Sequence, residues 1–201
     1  ANTAVFSLLN AVLLRPLPYE RPDRLVLIWE SSNVFSVRDS PVAPGNYAEW
    51  RARSRSFEQM GALEDTGYRL LGDGEPEIVL GSSVTSGLLR ALRTRPLLGR
   101  IFREDEDQPG SAKVALISER LWRNRFQSDP QIVGRSVKLN DENHTIVGVL
   151  AAGSEPPVTF IKKLGDIWTP FGSSYTAARL AEKGRHNWMV IARLRDGVSL
   201  Q

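Results

Sequence analysis

Apolar residues in this chain gather into runs of strand length, and the intervals between runs are too short for a doubly wound sheet. Residues 25–29 (Leu-Val-Leu-Ile-Trp), 114–117 (Val-Ala-Leu-Ile), 145–150 (Thr-Ile-Val-Gly-Val-Leu) and 188–194 (Trp-Met-Val-Ile-Ala-Arg-Leu) each give way to turn residues or polar segments. Runs of this length, bounded in this way, read as strands. Helical patterns lie among them without the long spacing of repeated βαβ units, so the sequence predicts a mixed α+β architecture.

Residues 25–29 read as a buried strand after Pro22-Asp23, and 31–44 as a polar connection. A helix is expected from Pro44 or Asn46 to Ser54, with Tyr47 and Trp50 three apart on one face. Ser56-Phe-Glu-Gln59 has capping-box spacing and predicts a second short helix. Residues 67–85 predict a hairpin, 68–71 against 77–84, reversing through Gly72-Asp-Gly-Glu-Pro76. Thr85 or Ser86 then caps a helix striped with Leu88, Leu89 and Leu92. From Leu97 a loop runs through Gly99, the acidic run 104–107 and Pro109-Gly110. The strand at 114–117 feeds Ser118, an N-cap for a helix whose Leu121, Trp122, Arg125 and Phe126 share much of one face. Strands 136–139 and 145–150 are joined by the polar reversal 140–143, and Val137 and Leu139 alternate with Ser136 and Lys138 to give one dry and one wet face. Beyond Gly153 the chain is loop-rich, with 166–169 as a short edge strand and 188–194 as the last strand.

The 201 residues suffice for one large domain or two small ones. Folding at this size removes roughly 70% of the extended surface from water, so no metal or disulfide is required for stability. The absence of cysteine excludes a Cys-ligated zinc site, a thiol nucleophile and a redox dithiol, and leaves the compartment open. The net charge is +3, with both signs interleaved, as in Arg51, Arg53, Arg55 and Glu58. No basic stripe is present, so nucleic acid is not an expected partner.

Residues 4–14 form an apolar run of eleven positions broken only by Ser7 and Asn10. A bilayer span needs about 20 apolar residues, so the run cannot cross alone. Its abrupt start and its Arg15-Pro16-Leu17-Pro18 ending fit the last turns of a longer membrane helix with Arg15 and Tyr19 near the headgroups. A short buried or amphipathic terminal helix is the other reading.

Chemistry-bearing constellations are few. There is no Gly-x-x-x-x-Gly-Lys, and Gly81-Ser-Ser-Val-Thr-Ser-Gly87 reads as a strand end and helix cap, without a serine elbow. His144 and His186 lack a second histidine at ligand spacing, and the run 104–107 lacks the oxygen pattern and central glycine of a calcium loop and reads as solvated charge. Trp29, Trp50, Trp122, Trp168 and Trp188 are assigned to core or interface packing. No catalytic, cofactor-binding or metal-ligating residue is singled out.

Residues 2–19 resemble the end of the first membrane helix of MacB-like and FtsX-like ABC-transporter permeases, particularly the acidobacterial-type orphan permeases with duplicated halves. The resemblance continues through Asp23-Arg-Leu-Val-Leu-Ile-Trp-Glu30, Asn46-Tyr-Ala-Glu-Trp50, Ser56-Phe57 and Leu97-Leu-Gly-Arg-Ile-Phe102 with Glu106-Asp107. It runs on through Val114-Ala-Leu-Ile-Ser-Glu-Arg-Leu-Trp-Arg-Asn-Arg-Phe126, Asp129-Pro-Gln-Ile-Val-Gly-Arg135, 139–141, Thr145-Ile-Val-Gly-Val149 and Val190-Ile-Ala-Arg-Leu-Arg-Asp-Gly197. It implies a periplasmic domain between the first two membrane helices, in two subdomains with one inserted into the other: 1–19 as helix end and membrane-proximal linker, 20–95 and 186–201 as the membrane-proximal subdomain, 96–185 as the inserted one. It further implies a non-catalytic role without cofactors, coupling conformational change driven by a cytoplasmic ATPase in trans to extracytoplasmic substrate or a periplasmic adaptor. Homodimers or paired permease halves in a Gram-negative inner membrane are implied too, with this domain in the periplasm. The alternatives are a ligand- or peptide-binding domain without a transport role and, below it, an uncharacterised enzyme.

Overall fold

The computed structural model describes residues 19–32, 37–72, 74–156 and 165–199. The apolar run 4–14 and the tip residue Asp73 lie outside the described residues. Residues 25–28 form β1, with Val26 and Ile28 on one face and Leu25 and Leu27 on the other, both faces covered. The connection expected after it contains two short strands, β2 (Glu30–Ser32) and β3 (Val37–Ser40), which pair with each other apart from the main sheet. Helix α1 (Pro44–Arg53) starts with proline at its first position, where the missing N–H costs nothing, and turns Tyr47 and Trp50 inward.

The capping-box helix at 56–59 is not formed. Phe57 instead opens β4 (Phe57–Gly72), a strand of 16 residues and about 50 Å that pairs with β5 (Gly74–Val84) over nearly the whole length of β5. A cap contributes about 1 kcal/mol, and it loses here to a ladder in which residues 57 and 59–63 pair with the last strand, β11 (Met189–Leu194). Thr85 caps α2 (Ser86–Ala91) by accepting from the Leu88 N–H, and Leu88 and Leu89 are fully buried. Helix α2 lies directly on β4: a Cβ on Gly61 would stand 2.0 Å from the Leu88 nitrogen.

The segment read as a loop through Gly99 is an edge strand, β6 (Pro96–Gly99), and a left-handed Gly99 brings it close against the Val147 carbonyl. Strand β7 (Val114–Ser118) ends at the Ser118 N-cap of α3 (Glu119–Phe126), which closes on a left-handed Gln127. β8 (Ser136–Leu139) and β9 (Glu142–Leu150) form a tight hairpin through Asn140 and Asp141, both at positive φ as a two-residue reversal demands. The expected alternation is present in β8, where Val137 and Leu139 are buried between exposed Ser136 and Lys138.

Residues 167–170 are not at an edge. β10 (Ile167–Pro170) lies between β5, to which it is parallel, and β7, to which it is antiparallel, with all four residues buried. Its proline stands at the last position, so the ladder hardly suffers from the missing donor. Two short helices follow, α4 (Phe171–Ser174) and α5 (Ala177–Ala181).

The main sheet runs β1-β11-β4-β5-β10-β7-β9-β6, with β8 bridging β4 and β9. The pairings β4–β5, β5–β10, β10–β7, β7–β9, β9–β8 and β8–β4 return to their starting strand, closing six strands into a small barrel. Its interior takes Tyr68, Val79, Ile117, Leu139, Ile146 and Ile167, one from each strand. The near half of β4, with β1 and β11, is an open sheet covered by α1, Phe171 and Trp188 on one face and by α2 on the other. The cluster under α2 also takes Val114, Leu116, Val147 and Trp168 from the outside of the barrel, so one core spans sheet and barrel.

Candidate functional site

At one end of the open sheet the start of β1 and the end of β11 lie side by side, Leu25 opposite Arg193. Arg193 sits in an otherwise apolar strand and is 0% exposed. Its guanidinium donates to three main-chain carbonyls: Ala91 at the end of α2 (2.6 Å), Arg21 (3.2 Å) and Glu20 (2.8 Å). The contact is reciprocal. Arg24, at the head of β1, donates to the Leu194 carbonyl and to the Asp196 carboxylate at 2.6 Å. Two buried arginines thus stitch the incoming chain to the outgoing chain, each holding the other's main chain. Burial, with the nearby charge of Arg93, lowers the Arg193 pKa from its ordinary value.

A second construction holds sheet and barrel together. A Cβ on Gly81 would stand 1.8 Å from the Ile167 carbonyl oxygen, so β10 can lie against β5 only because residue 81 has no side chain. Tyr68 and Thr169 share a hydroxyl bond of 2.9 Å across this seam, and burial raises the Tyr68 pKa. Asp166 accepts from the Ser118 hydroxyl and pairs with Arg120, both at 2.5 Å, tying the start of α3 to the start of β10.

The third feature is a groove of about 470 Å³ between α1 and the 3-10 turn at Glu104–Asp107. Tyr47, Phe171, Leu180 and Trp188 give it apolar walls, and Arg51, Glu104 and Asp107 line it with charge. Phe171 stacks on Trp188 with ring centres 4.2 Å apart, and Tyr47 and Tyr175 meet the indole edge-on at 5.6 and 5.9 Å. Beneath the rings Glu64 accepts from the Tyr175 hydroxyl, the Asn187 amide and, at 3.3 Å, the Trp188 indole.

The acidic run is not uniformly solvated. Glu106 is 2% exposed. Burial pushes its carboxyl up, but the two-pronged bond from Arg100 (2.6 and 3.0 Å) and the Arg103 N–H (2.7 Å) outweigh this and hold it below the usual range. Asp107 accepts from the Ser86 N–H and hydroxyl, and burial pushes its carboxyl up despite those bonds. These two side chains are structural ties.

His144 is buried in β9, its Nδ1 3.1 Å from the Glu142 carbonyl oxygen, and burial lowers its pKa. His186 meets Glu30 at 2.6 Å, and the other Glu30 oxygen accepts from the Ala43 N–H and the Asn46 amide at the start of α1. His144 lies in β9 and His186 in the segment before β11, and neither lines the groove. Among the described residues no group of three His, Asp or Glu side chains converges as metal ligands do. The Gly81–Gly87 stretch is a strand end and helix cap, and Trp168 and Trp188 are fully buried in the core. Sequence reading passed over Arg193, although a charge inside Val-Ile-Ala-Arg-Leu was the visible signal. It also passed over Gly81, whose constraint comes from a strand far away in sequence.

A family model described as MacB-like periplasmic core domain matches residues 1–201. No curated protein matches the sequence. Among solved structures, a domain of a putative permease protein from Porphyromonas gingivalis is 20% identical with a TM-score of 0.60, covering 80% of this chain and 65% of that one. The periplasmic region of MacB from Actinobacillus actinomycetemcomitans is 12% identical with a TM-score of 0.64, covering 88% and 77%. The extracellular domain of the noncanonic ABC-type transporter YknZ from Gram-positive bacteria is 14% identical with a TM-score of 0.58, covering 86% and 83%. The chain thus spans 65% of the length of the first of these, and at such identities the likeness is one of fold.

Proposed function

The chain belongs to the MacB-like periplasmic core domain family of ABC-transporter permeases, and from that premise we propose that it carries conformational change from the membrane to extracytoplasmic partners without chemistry of its own. In this reading a separate cytoplasmic ATPase supplies the power, and a substrate or periplasmic adaptor receives the motion. The permease works as a homodimer or as paired halves in the inner membrane of a Gram-negative bacterium, with this domain in the periplasm. In this reading 20–95 with 186–201 form the membrane-proximal subdomain and 96–185 the inserted one, with β5 and the far half of β4 reaching across to complete the barrel. The observation that carries the reading is the unbroken hydrogen-bonded path from β1 and β11, where the chain enters and leaves, through β4 and β5 to the barrel. A displacement of the clasped end has a continuous hydrogen-bonded route to the far end through the described strands.

The test is purification of the full-length permease from its native membrane in mild detergent, with identification of its companions. An ABC ATPase is expected to co-purify, and its hydrolysis rate to respond to the permease. A permease that recruits no ATPase sinks the reading. A ligand- or peptide-binding domain is the second reading, favoured by the aromatic groove beside Arg51 and Asp107. A ligand that raises the melting temperature, and loses that effect in Leu180→Arg, supports it.

A further inference from the structure

Around the place where the incoming and outgoing chain meet, arginines outnumber carboxylates. Arg21, Arg24, Arg93, Arg95 and Arg193 gather there against Glu20, Glu58 and Asp196, and Asp23 and Arg195, their neighbours in the chain, add one exposed charge of each sign. Glu20, Glu58 and Asp196 are each already shared by two arginines. Glu20 is held by Arg93 and, at 3.2 Å, by Arg95. Glu58 lies 3.7 Å from Arg93 and 3.9 Å from Arg24, and Asp196 lies 2.6 Å from Arg24 and 3.4 Å from Arg21. The Arg93 bond and charge hold the Glu20 carboxyl below its usual range. Arg193 adds a buried positive charge whose hydrogen bonds go to carbonyls. The exposed members are Arg95 and Arg21, with side chains 83% and 54% exposed.

We propose that this end of the domain is a docking surface for anionic lipid headgroups, with Arg21 and Arg95 as the groups that meet the phosphates. Guanidinium matches a phosphate with two parallel N–H bonds, and these two have donors to spare once their shared carboxylates are served. The position fits the occupant. Four residues lie between Leu14, the end of the apolar run, and Tyr19, so the run ends within about 17 Å of Tyr19, whose neighbour Glu20 is held by the Arg193 clasp. The inference rests on the reading of residues 4–14 as the end of a membrane helix. With that helix in a bilayer, the arginine end lies at the headgroups and the barrel points away. The long-range part of the attraction is screened over about 8 Å at physiological salt, and a phosphate contact falls inside that distance.

The experiment uses the full 201-residue chain, co-sedimented with vesicles of phosphatidylcholine alone and of phosphatidylcholine with equimolar phosphatidylglycerol. Each arginine at an anionic surface is worth about a five-fold change in partition. The expected result is tighter binding to the anionic vesicles, a preference that shrinks with added salt and falls about five-fold in each of Arg21→Gln and Arg95→Gln. Equal binding to both vesicles overturns the headgroup surface while leaving the membrane reading of residues 4–14 standing. Binding to neither overturns both. An anionic preference unchanged in both variants also overturns the proposal, because the attraction then lies elsewhere on the chain.

Discussion

Replacing Arg193 by methionine keeps an apolar stem of similar reach in β11 and removes the guanidinium. Three carbonyls, of Ala91, Arg21 and Glu20, lose their donor at once. Hydrogen bonds from a charged group contribute roughly 1.5–3 kcal/mol each, so the gross loss is about 5–9 kcal/mol. Relief of the buried charge returns several kcal/mol. The carbonyls of Glu20 and Arg21 can also turn to water if the incoming segment peels away, whereas that of Ala91 lies deeper. The net expectation is a loss of about 3 kcal/mol, concentrated at residues 19–24 and the end of α2. Urea denaturation of the chain gives the total, and amide hydrogen exchange locates it. Arg193→Lys should lie between, because one ammonium cannot reach carbonyls on two segments with the span of a planar fork. If Arg193→Met changes stability by less than about 0.5 kcal/mol and leaves exchange at 19–24 untouched, the clasp does not hold the chain ends together and the mechanical argument loses its anchor.

The remaining expectations are more local. Gly81→Ala places a methyl 1.8 Å from the Ile167 carbonyl oxygen, so β10 must shift; a loss above about 3 kcal/mol in chemical denaturation is expected, and a neutral result refutes the seam. Because the folded-state pKa of Glu106 is depressed, its stabilisation is complete above the ordinary glutamate value of 4.5 and is lost as pH falls through the lower folded value. Glu106→Gln should therefore be the less stable protein at neutral pH and should converge on the parent in acid; parallel stability–pH curves contradict this. Trp122 and Phe126 pack half-buried against the barrel core, so each alanine truncation should cost about 2 kcal/mol, below the 3–5 of a fully buried ring, with Trp122 also giving up its 2.8 Å bond to the Asp129 carbonyl. Losses under about 0.5 kcal/mol for both show that α3 contributes no packing.

Features that depend on neighbours in sequence were legible in advance. The Ser118 cap, the dry face of Val137 and Leu139, the reversal at 140–143 and the stripe of Leu88, Leu89 and Leu92 all follow from residues within a few positions of one another. What escaped is set by strands distant along the chain. Residues 56–59 carry the marks of a helix start, yet from Phe57 the chain is a strand because β11, more than a hundred positions later, offers it a ladder. Residues 166–169 look like an edge segment, and only the topology shows the strand there, β10, between β5 and β7. The same holds for the candidate sites. An arginine whose partners are carbonyls leaves no pairing motif, and Glu106 resembles its solvated neighbours until Arg100 is seen beside it.

The last strand described, β11, lies between β1 and β4, and β10 lies between β5 and β7. Strands made late are therefore inserted between strands made early. While the chain emerges, β1 and β4 each hold an open edge until residues 189–194 arrive, so the sheet cannot be completed in the order of synthesis. Pairings of such wide separation carry the full loop-closure cost before any contact rewards it, which makes folding slow and leaves adhesive edges exposed in the meantime. In a chain of this topology the open sheet is completed only when the final strand takes its place between β1 and β4.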